Sequence, residues 1–307
     1  MKVISTARDL QRNGKKVCVA IGVFDGVHLG HQQIIRQTIS DARQHEALAL
    51  VVTFDRHPSA IVAPERQPSL IYSLPQKLRT LAALGADATL VFAFDKEFSR
   101  QTGGDFIQLL AQDLGKIQSI CVGATFVFGY KRSGNVDLLK NIGKKLNFNV
   151  HGLAAVALDG QVVSSTRIRE SICSGNLDAA GQMLGRPYAL CGQLVAGDRL
   201  GRQLGFPTAN LDITGLKVPP NGVYAGLTRV GEVTYRVALN IGLRPTLNSP
   251  APSLRVEAHL LDFQGALYGQ ELEIVVGDRL REEKKFASPA QLKEQIARDV
   301  QSVREQT

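Results

Sequence analysis

The sequence predicts an α/β protein: a parallel-sheet domain, then a smaller antiparallel β domain with a C-terminal helix. Three features indicate this. Apolar runs alternate with helical patterns in the first half, short strands and turn residues fill most of the second half, and the tail is amphipathic. A chain of 307 residues, 44% of them hydrophobic, can bury two cores of ordinary size.

The first half reads as alternating buried strands and helices. Apolar residues at helical spacing predict helices over 30–44, 75–84 and 104–114. Short apolar runs predict strands at 17–24, 48–54, 88–94, 119–126 and 150–158. This alternation favours a parallel sheet covered by helices on both faces. Ligands of such sheets bind beyond the carboxyl ends of the strands, which is where we expect a site.

The pattern changes near residue 185. Residues 164–187 predict two short helices that end at "GRP". Turn residues then separate five predicted strands, which indicate an antiparallel barrel or sandwich: 188–196, 222–230, 233–241, 254–262 and 271–277. Ser288 as N-cap and Pro289 in the first turn predict a final helix. We therefore expect domains at 1–186 and 187–307.

Composition narrows the class of protein. The net charge of +8 fits either an anionic partner or a basic, solvated surface, but the basic residues are spread along the chain and no nucleic-acid-binding motif occurs, so we expect no nucleic acid partner. No apolar run is long enough for a membrane span, and the N-terminal residues lack a secretory signal. Four scattered cysteines without a C-x-x-C pair argue against a zinc or redox site and favour a cytoplasmic location. The oligomeric state stays open.

The segment "GVFDGVHLGH" (22–31) follows a predicted strand and opens a predicted helix. Its glycines allow a ligand to approach the backbone closely, and a helix N-terminus favours phosphate. His28 and His31 are three residues apart and should lie close together. From the residues alone, a phosphate site and a structural turn are equally good readings; a metal pair is weaker, because zinc would need further ligands.

The segment "GDRLGRQLGFPTANL" (197–211) contains two glycine turns with arginines and then Pro-Thr-Ala-Asn. Backbone amides of such loops can hold phosphate. Thr208 and Asn210 would face one side of an extended segment, and their oxygens suit Mg²⁺. Taken alone, these residues favour an ordinary surface hairpin.

In the predicted strand "RVEAHLLDF", alternation places Glu257 and His259 on one face and three apolar residues on the other. A carboxylate there is costly unless it has a task or a partner. The alternative for Glu257 is a solvent-facing strand position, and this is the position that we expect for His259.

These segments resemble the bacterial bifunctional riboflavin kinase/FMN adenylyltransferase (FAD synthetase) family. In the first half the resemblance rests on G-x-F-D-G-x-H-x-G-H, "TFDRHP" (53–58), "FVFG" (126–129) and "SSTRIR" (164–169). In the second half it rests on G-R-x-L-G-F-P-T-A-N-L, "PNGVYAG" (220–226), "NIGLRPT" (240–246), "EAHLLDF" (257–263), "LYG" (267–269) and "LREEKKF" (280–286). The motifs cover nearly the whole chain.

The resemblance implies a Rossmann-like nucleotidyltransferase domain followed by a six-stranded flavokinase barrel. It implies that the barrel phosphorylates riboflavin to FMN and that the first domain joins AMP from ATP to FMN, with Mg²⁺ in both steps. The catalytic residues would be Glu257, as the base for the riboflavin hydroxyl, and His28 and His31, which stabilise the triphosphate.

The binding residues that the resemblance implies fall into three groups. ATP phosphates would contact Gly22, Phe24, Asp25, Gly26, Gly30, Ser164, Ser165, Thr166, Arg169, Gly197, Arg202 and Gly205. Flavin would contact His57, Phe126, Phe128, Arg281 and Phe286. The metal ion would be held by Thr208 and Asn210.

Three positions depart from the family pattern, namely Arg56, Thr125 and Asn135. They keep one alternative open, a riboflavin kinase with a weakened adenylyltransferase domain. The basic charge keeps another open, a regulator that binds flavin or nucleotide without turning it over.

Overall fold

The structure is a computed structural model that describes residues 1–195, 204–244, 253–265, 267 and 269–306. The chain divides into two compact units, Met1–Ser165 and Thr166–Thr307. Each unit has its own main sheet.

The first unit contains a six-stranded parallel sheet in the order β1-β4-β3-β2-β5-β8. The strands of this unit, including those of two small hairpins, are β1 (Lys2–Ile4), β2 (Val17–Ile21), β3 (Leu48–Phe54), β4 (Ala88–Phe92), β5 (Ile117–Gly123), β6 (Val127–Phe128), β7 (Gly134–Asn135), β8 (Asn149–Leu153), β9 (Ala157–Leu158) and β10 (Gln161–Val162). The predicted parallel sheet is confirmed. The run 150–158 was predicted as one strand, but it divides into β8 and β9.

Helices cover both faces of this sheet, as the alternation predicted. They are α1 (Leu29–Gln44), α2 (Ser59–Val62), α3 (Leu74–Ala83), α4 (Gly103–Leu114) and α5 (Val136–Leu146). Strand β2 shows how the faces divide: Val17, Val19 and Ile21 pack with α4 and α5, whereas Cys18 and Ala20 pack with α1 and α3. A central strand buried on both faces must be apolar throughout, which explains its unbroken apolar sequence.

The second unit begins with two short helices, α6 (Ser165–Ser174, whose first residue belongs to the first unit) and α7 (Leu177–Leu184). Both were predicted. Asn176 caps α7 by accepting the Ala179 N–H, and Gly185 ends it in the left-handed conformation.

A closed antiparallel barrel follows, in the order β11-β12-β15-β14-β13-β16, with β16 pairing back to β11. Its strands are β11 (Ala189–Val195), β12 (Ala209–Leu211), β13 (Gly222–Val230), β14 (Val233–Arg244), β15 (Ser253–Leu260) and β16 (Glu271–Arg281). Closure confirms the six-stranded barrel, and it depends on β12, a three-residue strand that the apolar pattern did not reveal.

The C-terminal helix α8 (Pro289–Glu305) begins as predicted, with the Ser288 hydroxyl accepting the Gln291 N–H. Its residues Val300 and Val303 pack on the outside of the barrel against a small apolar cluster of Ala225, Ala238, Leu261 and Leu280. Among the residues that the structure describes, no helix is both long and apolar enough to cross a membrane.

Candidate functional site

The turn between β2 and α1 holds the backbone of the first candidate site in an unusual shape. Phe24, Gly26 and Val27 all have positive φ, at 52°, 75° and 42°. Only Gly26 adopts this region without cost, and a β-branched valine there is a rare, strained conformation. Gly22 leaves room for the Phe24 ring, because a methyl group at Gly22 would lie 2.8 Å from it. Strain of this kind clusters at ligand sites.

The two histidines meet where α1 begins. Their rings stack with centroids 3.5 Å apart, and the Phe24 ring packs edge-on against His31 at 5.3 Å. The backbone N–H of His31 donates to Nδ1 of His28 at 3.4 Å, so His28 is the N-cap of the helix. A neutral His28 therefore carries its proton on Nε2. The predicted closeness of the pair is confirmed.

His31 is held in its neutral form. Burial lowers the pKa of His31 well below its ordinary value, and the nearby His28 and Lys77 lower it further. Its Nδ1 is buried and has no hydrogen-bond partner among the described residues. Buried ring nitrogens normally have partners. An atom left without one at a helix N-terminus is a candidate contact for a phosphate.

Two buried charged side chains, Asp25 and Lys77, stabilise the turn between β2 and α1. The Asp25 carboxylate accepts the backbone N–H groups of Ile71 and Tyr72 at 3.0–3.2 Å. Lys77 of α3 donates to the Phe54 carbonyl (2.9 Å), the Thr53 hydroxyl (3.1 Å) and the Val23 carbonyl (3.2 Å). Burial lowers the pKa of Lys77 to about 8, against the attraction of Asp25 and Asp55. Lys77 carried no motif, so sequence reasoning missed it.

An aromatic cavity of about 390 Å³ opens at the carboxyl ends of the same strands. Ile21 and Val23, which flank Gly22, form part of its wall, so the cavity and the histidine turn share backbone. Phe126 and Phe128, predicted to bind flavin, both line it. The other aromatic side chains of the lining are Phe54, Phe94, Phe98, Phe106 and Tyr130. The three phenylalanines at 94, 98 and 106 were the sequence signal that could have revealed this wall.

The remaining predicted residues of the first unit have local partners. His57 accepts the Ser59 N–H at 3.2 Å, and its neighbour Pro58 lines the cavity. Arg56 pairs with Asp55, and Asn135 caps α5 by accepting the Leu138 N–H. These contacts account for two of the three departures from the family pattern.

The "SSTRIR" segment lies where the chain passes between the units. The Ser165 hydroxyl donates to the Asp25 carbonyl at 3.1 Å, which ties the start of α6 to the histidine turn. Thr166 and Arg169 follow on the same helix but belong to the second unit. Their contact with phosphate stays a prediction, as does that of Ser164.

In the second unit, the barrel register gathers polar residues around Glu257. On the outer face of the barrel, Glu257 of β15 lies between Asn210 of β12 and Asn240 of β14, as a direct cross-strand neighbour of each. Such neighbours have Cβ atoms about 5 Å apart. Asn210 is 7% exposed, and the register that places it beside Glu257 is a finding of the structure. Asn240 was not predicted as a site residue, because register cannot be read from the motif.

Two further contacts fix this face. Arg255 lies on the same face of β15, with Nη1 3.4 Å from the Glu257 carboxylate. His259 has its Nδ1 2.8 Å from the Pro207 carbonyl and its ring against Phe206. His259 is a partly exposed strand residue, and these contacts also let it hold the "FPT" segment that leads to Thr208.

Arg281 and Phe286 lie together at the end of β16, with the guanidinium 5.8 Å from the ring centroid. Arg281 donates through two nitrogens to Asp299 of α8, at 2.7–3.1 Å. This ion pair explains the position of Arg281, and the flavin contact stays a prediction. Gly205 has a φ of 91°. Gly197 and Arg202 lie outside the described residues.

Each half of the chain matches a known protein family. The family model for FAD synthetase matches residues 10–167, and that for riboflavin kinase matches residues 184–307. The bifunctional riboflavin kinase/FMN adenylyltransferase of Escherichia coli (strain K12) is 36% identical over 99% of this chain and 97% of its own length. The protein of that name from Pseudomonas fluorescens is 34% identical over 99% of this chain and 97% of its own.

Among solved structures, that of a macrolide-efflux protein from Streptococcus pneumoniae matches with a TM-score of 0.82. It is 28% identical, and the match covers 99% of each chain. The two family models together match most of the chain, and the two relatives are 34–36% identical over 99% of it. The chain therefore belongs to the bifunctional riboflavin kinase/FMN adenylyltransferase family.

Proposed function

We propose that this chain makes FMN from riboflavin in its barrel and then FAD from FMN in its parallel-sheet domain, with ATP as the second substrate of both steps. The observation that carries the proposal is the shared wall of the first unit, where the histidine pair, with His28 buried and His31 partly buried, adjoins an aromatic cavity. That arrangement suits a triphosphate beside a flat ring system. We place the boundary between the catalytic domains at residue 186, after α7.

In the kinase step, Glu257 takes the proton of the riboflavin 5′-hydroxyl as the oxygen attacks the γ-phosphorus of ATP, and ADP leaves. A general base at this point is worth about 10²–10⁴-fold in rate. Asn210 and Asn240 flank the carboxylate, and Arg255 contacts it, so the base is held by its neighbours.

The donors present fit Mg²⁺ in the barrel. Thr208 and Asn210 offer a hydroxyl and an amide oxygen, and Asn210 lies beside Glu257. Mg²⁺ takes few protein oxygens and completes its shell with substrate phosphates and water, where it neutralises phosphate charge. We propose that Thr208 and Asn210 hold it.

In the adenylyl step, an oxygen of the FMN phosphate attacks the α-phosphorus of ATP, and pyrophosphate leaves. No proton transfer or covalent enzyme intermediate is needed, so the protein contributes position and electrostatic stabilisation. The histidine ring nitrogens donate to phosphate oxygens, and the N-terminus of α1 adds its partial positive charge. The predicted Arg169 would supply a full charge.

A cytoplasmic location remains our expectation.

The first experiment gives the purified chain riboflavin, ATP and Mg²⁺ and separates the flavins by chromatography. Both FMN and FAD should form. FMN alone would indicate a kinase with a weakened transferase domain, and flavin binding without any product would indicate a regulator. Either result would overturn the two-step proposal.

The division of labour is tested by two substitutions. Glu257→Ala should abolish FMN formation while FAD still forms from supplied FMN, and His28→Ala should do the reverse. Matched controls are Glu232→Ala in the β13–β14 turn and His45→Ala at the end of α1, both at exposed positions. Loss of both activities in a folded single variant would contradict separate sites.

A further inference from the structure

One residue that lines the aromatic cavity carries a buried polar atom without a hydrogen-bond partner. Among the described residues, three buried side-chain atoms have no hydrogen-bond partner: His31 Nδ1, Gln76 Oε1 and Gln101 Oε1. Of these, Gln101 lines the cavity. A buried amide oxygen without a donor is costly, and natural structures rarely keep one without a reason. A ligand N–H in the cavity would satisfy it.

The backbone of Gln101 is fixed on both sides. Its N–H donates to the Phe98 carbonyl at 3.1 Å, and its own carbonyl accepts the Tyr130 N–H at 2.7 Å. Phe98 and Tyr130 are themselves lining residues. Gln101 therefore joins two walls of the cavity, and its main chain cannot move away without breaking both bonds.

The rest of the lining limits what the occupant can be. Aromatic and aliphatic side chains dominate, and the other polar residues are Ser99, Lys131 and Arg132. Such a cavity takes a flat, largely apolar ring system and can recognise one polar edge. The isoalloxazine ring of a flavin has one N–H, at N3, between two carbonyls. That edge supplies the donor that Gln101 lacks.

We propose that Oε1 of Gln101 accepts the N3–H of the isoalloxazine ring of FMN, and that Gln101 is thereby a specificity-determining residue of the adenylyl-transfer step. The assignment rests on the proposed function, because it needs FMN in this cavity. The geometry also predicts that the contact exists only with ligand bound. In the free protein the amide oxygen is a cost, not a source of stability.

The test compares FAD formation from FMN and from 3-methyl-FMN, which has no N3–H. The full chain, Gln101→Leu and Gln67→Leu are used. Gln67 is a matched control, because it also follows a short 3-10 helix with its N–H bonded back to that helix, but it is exposed. Steady-state measurements give kcat/KM for each flavin.

For the unsubstituted chain and Gln67→Leu, kcat/KM should be about tenfold higher for FMN than for 3-methyl-FMN. In Gln101→Leu the preference should fall to near one, mainly through a higher KM for FMN. Riboflavin phosphorylation should not change. The free Gln101→Leu protein should also resist urea at least as well as the unsubstituted chain, which a merely structural glutamine would not allow.

If the unsubstituted chain makes FAD but the ratio is the same in Gln101→Leu, the assignment of Gln101 is wrong and the proposed function stands. A destabilised Gln101→Leu protein with an unchanged ratio has the same meaning. If the unsubstituted chain makes no FAD from FMN, the proposed transferase function fails, and the Gln101 assignment fails with it.

Discussion

The buried amine of Lys77 should make the stability of the first unit depend on pH in the alkaline range. Its pKa is lowered from 10.5 to about 8 by burial. Between these values the unfolded chain holds a proton that the folded chain has released. Unfolding then takes up a proton, so the free energy of unfolding rises with pH. The gain begins near pH 8 and is complete above 10.5.

The size of this effect follows from the two pKa values. A difference of about 2.5 (10.5 minus 8), at 1.36 kcal/mol for each pKa unit, corresponds to about 3 kcal/mol. Three acceptors, Val23, Thr53 and Phe54, oppose it by stabilising the charged amine. The lowered pKa means that the cost of burying the charged amine outweighs these three contacts.

The assay is urea unfolding of the full chain at several pH values from 7.5 to 10.5, for the unsubstituted protein and Lys77→Met. The unfolding of the first unit is followed by thiol labelling of Cys18 and Cys121, because both side chains are fully buried in that unit when it is folded. Subtracting the free energy of unfolding of Lys77→Met from that of the unsubstituted protein cancels the contributions of thiol ionisation and of the other titrating groups. The difference should grow by up to about 3 kcal/mol between pH 8 and 10.5. Lys96→Met, at an exposed position, should show no such change.

A flat difference across this range would refute the reasoning, because it would mean that the three acceptors restore an ordinary pKa. A difference that falls as pH rises would go further. It would show that Lys77 binds its proton more tightly in the folded chain than in the unfolded one.

Two other substitutions should each impair the activity of one unit and leave that of the other unchanged. Asp25→Ala leaves the N–H groups of Ile71 and Tyr72 without their acceptor, so it should lower stability by about 1–3 kcal/mol and slow FAD formation, while riboflavin phosphorylation measured on the same protein stays unchanged. Asp299→Ala removes one partner of a mostly buried ion pair, so it should lower the free energy of unfolding by about 3 kcal/mol, release α8 from the barrel and impair FMN formation. FAD synthesis from supplied FMN should continue. Loss of FAD synthesis with FMN formation intact would contradict this role of Asp299.

The alternation of strands and helices was enough to predict the first sheet, because its buried strands are apolar on both faces. Elements without a full apolar period were missed. Strand β1 has only one buried residue, Ile4, and β12 is three residues long. Helix α5 did carry signals, with Asn135 as N-cap, Asp137 in the first turn and two lysines in the last.

The candidate sites were predicted as far as local sequence reaches. His28 and His31 lie together because three residues span nearly one turn of a helix. The neighbours of Glu257 could not be predicted in the same way, because Asn240 comes from another strand and its position depends on barrel register. The parts played by Lys77 and Gln101 in the site could not be predicted either, because they depend on burial and on hydrogen bonding in the folded chain. The buried amine of Lys77 has hydrogen-bond acceptors, whereas the buried amide oxygen of Gln101 has no donor.

The neutral state of His31 also changes how the histidine pair would act on a triphosphate. Two imidazoles stacked 3.5 Å apart repel each other if both are protonated, and burial already disfavours the charge on His31. A neutral imidazole still donates one N–H, and it does so in a fixed direction. The pair is therefore better suited to orienting phosphate oxygens than to neutralising them. The charge that builds up as pyrophosphate leaves must then be met by the helix N-terminus, by a bound cation, or by an arginine such as the predicted Arg169.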